Sequence, residues 1–317
     1  MKLEHFGMAE PGDCRLVLTA SAEELAQSIA AEQAASDTPL EEEDLLTAAV
    51  NRTLLEGFAP LYEQLVHEEG LVPVTDPDFE LLAINRAEGF RAGAQFYVLP
   101  PLELGRYTGF VQPIQPHPLR ELTIELEINR NHGDEDRAAD ASGKAALRRQ
   151  VTAQLYQARC EQAHQRAEQE LIWQLGDQVT GTLPRQLAAG NYFAEQRQFN
   201  LSLQANGINF DQFLAVRGQT VEQFRVWLHE QSDRKLRSWL GLLLVAEKEG
   251  LFPTEEAVCD ALAHWNEALD GERSFPANDA RKVRQRLARE NARRFILEHS
   301  TLTPPPAEPV VAETSQA

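Results

Sequence analysis

The chain has 317 residues, of which 43% are apolar, 25% charged and 7% aromatic, enough to bury one large core or two to three modest ones. Its 30 basic and 49 acidic residues leave a formal charge of −19. That balance excludes nucleic-acid binding through bulk charge and attraction to anionic membranes, because both need a basic surface.

The amino terminus, MKLEHFGMAEPGD, has no apolar leader-like core. Residues 2–8 and 14–19, separated by Gly12-Asp13, are predicted to be two strands joined by a turn. Ser21 and Glu24 then form a capping-box pattern that predicts a helix start. A second helix is expected from about Leu40 to Glu69, carried by Leu46, Val50, Leu54, Phe58, Leu61 and Leu65 at three- and four-residue steps. Gly57 and Pro60 are expected to bend or interrupt it. Two strands follow, Phe79 to Ile84 and Phe90 to Leu99, around a turn at Ala87-Glu88-Gly89.

Pro113, Pro116 and Pro118 predict a semi-rigid spacer. Leu122, Ile124, Leu126 and Ile128 alternate, which suggests a strand and leaves a short helix open. From Asn131 to Gly143 the chain reads as a polar linker. Residues 145 to about 298 read as helices: one long amphipathic helix at 145–179, another beginning at Pro184, one at 221–249 closed by Gly250, one beginning at Pro253, and a last at 281–298. The tail TPPPAEPVVAETSQA has the composition of a disordered end. The predicted class is therefore α+β. A small domain of antiparallel strands and a helix pair (1–112) is followed by a linker or short strand (113–144). An elongated all-α domain of long arms (145–300) and a disordered tail (301–317) complete the chain.

No catalytic or metal-binding pattern stands out. Cys14, Cys160 and Cys259 are far apart and form no CxxC, a usage that suits a reducing cytosol. The eight His form neither HxxxH nor HExxH, and phosphate-binding glycine loops and a GxSxG elbow are lacking. Neither a cofactor nor a metal is expected, and an enzyme ranks as the last reading. What does stand out is large apolar side chains in long helices that cannot all cover one another, since large exposed apolar patches mark binding surfaces. The candidates are Trp173, Tyr192, Phe193, Phe199, Leu203, Phe210, Phe213 and Trp227. The basic run Arg281, Lys282, Arg284, Arg286, Arg289, Arg293 and Arg294 is expected to be a solvated helix face paired with the acidic amino-terminal half.

Three sequence stretches resemble the trigger factor family. The first is Asp76-Pro77, then Val98-Leu99-Pro100, then Glu103-Leu104-Gly105-Arg106-Tyr107-Thr108-Gly109. The second is Arg217-Gly218-Gln219-Thr220-Val221-Glu222-Gln223-Phe224-Arg225. The third is Phe295-Ile296-Leu297-Glu298 with Ser300 to Thr303. The resemblance implies an ATP-independent cytoplasmic chaperone, a holdase for unfolded or nascent polypeptides. The alternative is an adaptor or assembly factor for one folded partner. Two departures from the family pattern alter the expectation. About thirty residues lie between Gln112 and Ala145, too few for the family's FKBP-type domain, so prolyl isomerase activity is expected to be missing. At the family's ribosome-binding loop this chain has Ser36, Asp37, Thr38 and Pro39 followed by acidic residues, and residues 1–120 carry 20 acidic against 7 basic residues, a balance of −13. Ribosome docking is expected to be weak or absent.

Overall fold

The computed structural model describes residues 1–35, 41–132, 139–268, 277–309 and 311–312. The chain begins with strands β1 (Lys2–Glu10) and β2 (Asp13–Ala20), then helices α1 (Ala22–Ala35) and α2 (Glu42–Glu68), then strands β3 (Asp78–Asn85) and β4 (Gly89–Tyr97). The four strands form an antiparallel sheet in the order β1-β2-β4-β3. The central pair runs from Asp13 opposite Tyr97 to Ala20 opposite Phe90. Alternation on these strands puts Leu16, Leu18, Phe90 and Phe96 on one face, where they bury against Ala49, Leu54, Phe58 and Tyr62 of α2. At the β3–β4 turn Gly89 has φ +99°, and a side chain there would collide with the backbone of Ala20 and Ser21. The helix α2 continues through Pro60 rather than being interrupted; Pro60 is exposed, where water can satisfy the carbonyl its ring leaves unbonded.

Residues 103–120 add three short strands, β5 (Glu103–Leu104), β6 (Val111–Pro113) and β7 (Leu119–Arg120). The stretch around Leu122 to Ile128 is a helix, α3 (Glu121–Asn131), and not a strand. Ile124 and Ile128 share one helical face and bury against Leu147 and Val151, while Leu122 and Leu126 point away and are exposed.

The helical half contains α4 (Ala141–Asp177), β8 (Val179–Thr180), α5 (Arg185–Ala205), α6 (Phe210–Arg217), α7 (Val221–Lys248), α8 (Glu255–Ala268) and α9 (Ala277–Glu298). At about 1.5 Å rise per residue, the 37 residues of α4 span about 55 Å. Leu171, Leu175, Leu236, Leu240, Leu243, Ala292 and Ile296 form the core where α4, α7 and α9 meet. Both ends of α6 are signalled locally: Asn209 caps it with Gln212 in a reciprocal box, and Gly218 ends it at φ +62°. Thr220 and Gln223 make the same box for α7.

The two halves are stitched together by the segment 97–110, whose Tyr97, Leu99, Leu102, Leu104, Tyr107 and Phe110 pack on the helical core. Gly105 donates its N–H to the Gln178 carbonyl at 2.9 Å, and β5 pairs with β8. The Tyr107 hydroxyl donates to Glu249 at 2.7 Å, and the Lys248 ammonium lies 4.7 Å from the centre of its ring. After α9 the chain is not a free tail throughout. Strand β9 (Thr301–Thr303) runs parallel to β6, β10 (Val311–Ala312) pairs with β7, and the Tyr156 hydroxyl donates to the Pro306 carbonyl at 2.6 Å. Backbone pairing with a proline spacer outweighs the composition of this segment, while residues 310 and 313–317 lie outside those described.

Candidate functional site

The predicted apolar residues separate into three environments. Trp173 on α4 is half-buried beneath Arg234, whose guanidinium lies 5.5 Å from the ring centre and is held by two bonds to Asp177 at 2.8 and 2.7 Å. The ion pair with Asp177 pushes the Arg234 pKa up, so the cation over the indole is permanent.

The second environment is the far end of α5, α6 and α7. Phe199, Phe210, Phe213 and Trp227 gather around Phe224, with ring centres 4.9 Å (Phe199), 5.1 Å (Phe210), 5.9 Å (Phe213) and 5.6 Å (Trp227) from its own. Leu214, Phe224 and Leu228 are buried, and the four aromatic rings are half-buried over them. Arg217 covers Phe213 and Trp227, at 5.4 and 4.9 Å from their ring centres. These residues therefore make a small core of their own, whose outer ring edges meet solvent. Leu203 is buried beneath this end of the arm and is not presented to solvent.

The third environment is open. Tyr192 is half-buried and packs edge-to-face with Phe193 at 5.6 Å, while Phe193 is 63% exposed. Leu201, Val216 and Val226 are exposed on the same three helices, and Ile208 is exposed in the connection between α5 and α6. At the other end of the α5–α7 pair, where it passes the end of β4, lies a cleft of about 420 Å³ lined by Tyr97, Leu187, Gly190, Ala194, Leu236 and Trp239. Polar bonds hold its walls apart and in register. The Tyr97 hydroxyl donates to Gln186 Oε1 at 3.0 Å, and Asn191 donates to the Ser232 carbonyl at 2.8 Å. Lys235 pairs with Glu195 at 2.6 Å across α5 and α7. Burial pushes the Tyr97 phenol pKa up, so it remains a donor at neutral pH.

Sequence reasoning missed Tyr97, Gly190, Ala194 and Leu236 as cleft residues. It sought large aromatic side chains, whereas small ones make the opening: nothing lies within 4 Å of where a Gly190 side chain would sit. The signal available was Leu187, Gly190 and Ala194 at three- and four-residue steps on one helical face.

The basic run on α9 is spent on several partners. Arg281 and Lys282 pair with Asp76 of the amino-terminal half, Arg284 with Glu255, Arg286 with Glu290 and Arg293 with Glu168. Arg289 stacks on Trp239, 4.7 Å from the ring centre, and burial pushes its pKa down. The loop of Ser36, Asp37, Thr38 and Pro39 lies outside the described residues. Among the described residues no group of three His, Cys, Asp or Glu is placed to hold a metal ion, and no helix is long and apolar enough to cross a membrane.

Residues 145–298 match the family described as bacterial trigger factor protein (TF) C-terminus. The trigger factor of Clostridium botulinum is 24% identical over 139 residues, covering 44% of this chain and 31% of that one. The trigger factor of Halalkalibacterium halodurans is 24% identical over 160 residues, covering 49% and 37%. The match thus spans about a third of the length of these relatives. A solved structure described as promiscuous substrate recognition in folding and assembly activities of the trigger factor chaperone aligns over 93% of this chain and 99% of its own, at 12% identity and a TM-score of 0.43. Residues 145–298 are thus similar to the carboxy-terminal region of bacterial trigger factors, and both of these relatives are trigger factors.

Proposed function

We propose that this protein is an ATP-independent cytoplasmic holdase that shelters unfolded or nascent polypeptides between its helical arms and its amino-terminal domain. In this reading residues 145–300 supply the arms, 1–112 close one side, 113–131 and 301–309 brace the junction, and prolyl isomerisation plays no part. The observation that carries it is the open apolar cleft beside Tyr97 and Trp239, continuous in sequence with the exposed Phe193 and Leu201 on α5. Buried apolar area contributes about 25 cal/mol per Å² before ordering costs, so a shallow open surface favours weak and sequence-tolerant contacts. The half-buried rings of Tyr192, Phe199, Phe210, Phe213 and Trp227 extend that surface toward the arm's end, and Trp173 is its lesser contributor. The acidic balance of residues 1–120 supports weak ribosome docking.

The test is light scattering of a chemically unfolded client diluted into buffer with the full chain. Suppression at near-stoichiometric ratios is the expected result. A folded protein that leaves the scattering unchanged, and that captures a single folded partner in pull-down, would instead favour an assembly factor.

A further inference from the structure

Where the end of α2 and the segment 70–73 meet Phe252 and the start of α9, a cavity of about 740 Å³ lies between the two halves of the chain. Val66, Leu71, Val72, Pro73, Phe252 and Ala280 give it an apolar wall. Cavities of this size and lining hold small organic molecules, which a few polar groups orient. Two such groups line this one, and each carries a buried polar atom with no hydrogen-bond partner among the described residues. The first is the hydroxyl of Tyr62, a residue only 4% exposed. Its ring is packed on Phe58 and Phe96, with centres 5.2 and 5.1 Å away, so the hydroxyl cannot swing to open water without disturbing the amino-terminal core. The second is Nε of Arg281. That guanidinium donates one terminal nitrogen to the Thr75 carbonyl at 3.1 Å and the other to Asp76, which leaves the Nε–H over. The Arg281 charge is near enough to bear on the Tyr62 phenol, and burial keeps that phenol protonated at neutral pH. A buried donor left unsatisfied is costly, so both groups call for an acceptor.

The neighbouring ions set the charge of what would supply it. Arg281 and Lys282 face Asp76, Arg284 pairs with Glu255, and Glu63 and His67 lie on the exposed rim. Cations and carboxylates thus match, and a carboxylate or phosphate would meet no net positive charge. A carbonyl oxygen accepts two hydrogen bonds and brings no proton that itself needs a partner. We propose that this cavity binds a small uncharged molecule that carries a carbonyl oxygen on an apolar body, of the ketone, ester or tertiary-amide class. The oxygen accepts from the Tyr62 hydroxyl and the Arg281 Nε–H, and the body lies against Val72, Pro73 and Phe252. Both halves of the chain supply the wall, so an occupant binds only while they are docked and stabilises their junction. The site stands apart from the holdase proposal, because the apolar cleft of that reading lies between α5 and α7.

The test uses the full chain at pH 8, where an ordinary imidazole such as that of His67 is neutral. Benzophenone is the probe, diphenylmethane has its shape without the carbonyl, and diphenylacetate is a charged analogue. Irradiated benzophenone adds a neighbouring C–H bond across its carbonyl. Mass spectrometry should place the adduct on residues 66–73 or on Phe252, and the probe should raise the melting temperature. Affinity is read from the probe concentration that half-saturates the adduct, and for the analogues from their competition against it. Tyr62→Phe keeps the ring and removes only the unpartnered hydroxyl. It should leave the circular dichroism spectrum unchanged and weaken benzophenone binding roughly tenfold, and each analogue should bind the parent chain weaker than benzophenone by about tenfold or more. Failure of benzophenone to label the chain would overturn the proposal, as would adducts confined to the α5–α7 cleft or a Tyr62→Phe variant of unchanged affinity. So would diphenylmethane that competes as an equal, which would leave an apolar hollow only, or diphenylacetate that binds tighter than benzophenone, which would assign an anion site.

Discussion

Gly176 of α4 lies against Ser238 of α7 so closely that a side chain at 176 would run into the Ser238 hydroxyl and sit 2.8 Å from the Arg234 carbonyl oxygen. The two longest helices of the molecule approach at this point because one of them has nothing there but backbone. Gly176→Ala should therefore destabilise the fold by about 1–3 kcal/mol, even though alanine favours a helix by about 1 kcal/mol. Gly190→Ala, on the open face of α5, should have the opposite sign and add about 0.5–1 kcal/mol. Urea unfolding of the two variants checks both directions. A Gly176→Ala variant as stable as the parent chain would show that the α4–α7 contact is looser than described.

Asp76 ties the two halves together by accepting from both Arg281 and Lys282, while Arg281 also donates to the Thr75 carbonyl at 3.1 Å. Arg281 is largely covered, at 13% side-chain exposure, so this pair is less screened than a surface ion pair. Arg281→Ala should cost about 1–3 kcal/mol. Lys282→Ala, at an exposed position, should cost less than about 1 kcal/mol. Thermal unfolding at low and high salt separates them: the Lys282 effect should fade with salt and most of the Arg281 effect should persist.

The end of the arm is held by Phe224, which is buried among Phe199, Phe210, Phe213 and Trp227. Phe224→Ala should cost about 3–5 kcal/mol, concentrated at α6 and the adjoining ends of α5 and α7. Hydrogen exchange should accelerate at residues 210–217 and remain unchanged in the β2–β4 pair, since the two regions share no core cluster.

Burial pushes the Cys14 thiol, aided by the neighbouring Asp13 charge, up to about 11, and burial pushes the Tyr62 phenol up to about 12. Both groups keep a proton in the folded chain that the unfolded chain releases earlier. Their contribution is fully present below the unfolded thiol value near 9 and is lost as pH rises toward about 11 and 12. Stability should thus fall above pH 9, by up to about 1.4 kcal/mol per pH unit for each group. Cys14→Ala should flatten the first part of that fall. In a thiol-titration assay at pH 8, the exposed Cys259 should react first and Cys14 only after unfolding.

If the arms hold clients, Phe193→Asp combined with Leu201→Asp should raise the amount of protein needed to suppress aggregation several-fold. Both residues are exposed, so the melting temperature should move little. Leu203→Asp, at a buried neighbour, should instead unfold the arm's end. Light scattering beside thermal unfolding distinguishes loss of surface from loss of fold.

Signals confined to a few neighbouring residues were legible in advance. Ser21 and Glu24 do cap α1 reciprocally, Glu24 N–H donating to Ser21 Oγ at 3.3 Å and Ser21 N–H to the Glu24 carboxylate at 2.8 Å. The strand pairs and the long helices follow from apolar periods of two and of three to four residues. The stretch from Leu122 to Ile128 was ambiguous because its apolar residues at every second position also place Ile124 and Ile128 one helical turn apart. Docking of those two on Leu147 and Val151 chose the helix.

The order of elements, the acidic surface and the family resemblance were therefore contained in the linear sequence, since each depends on composition or on residues a few positions apart. Which apolar side chains meet water was not. Leu203 and Phe193 are ten residues apart on one helix and equally apolar in sequence, yet only Phe193 is exposed. That distinction, the opening made by Gly190 and Ala194 beside Tyr97, and the cavity between α2 and α9 all arise from segments far apart in the chain. Burial is a property of what packs against a residue, and only tertiary structure decides the neighbours.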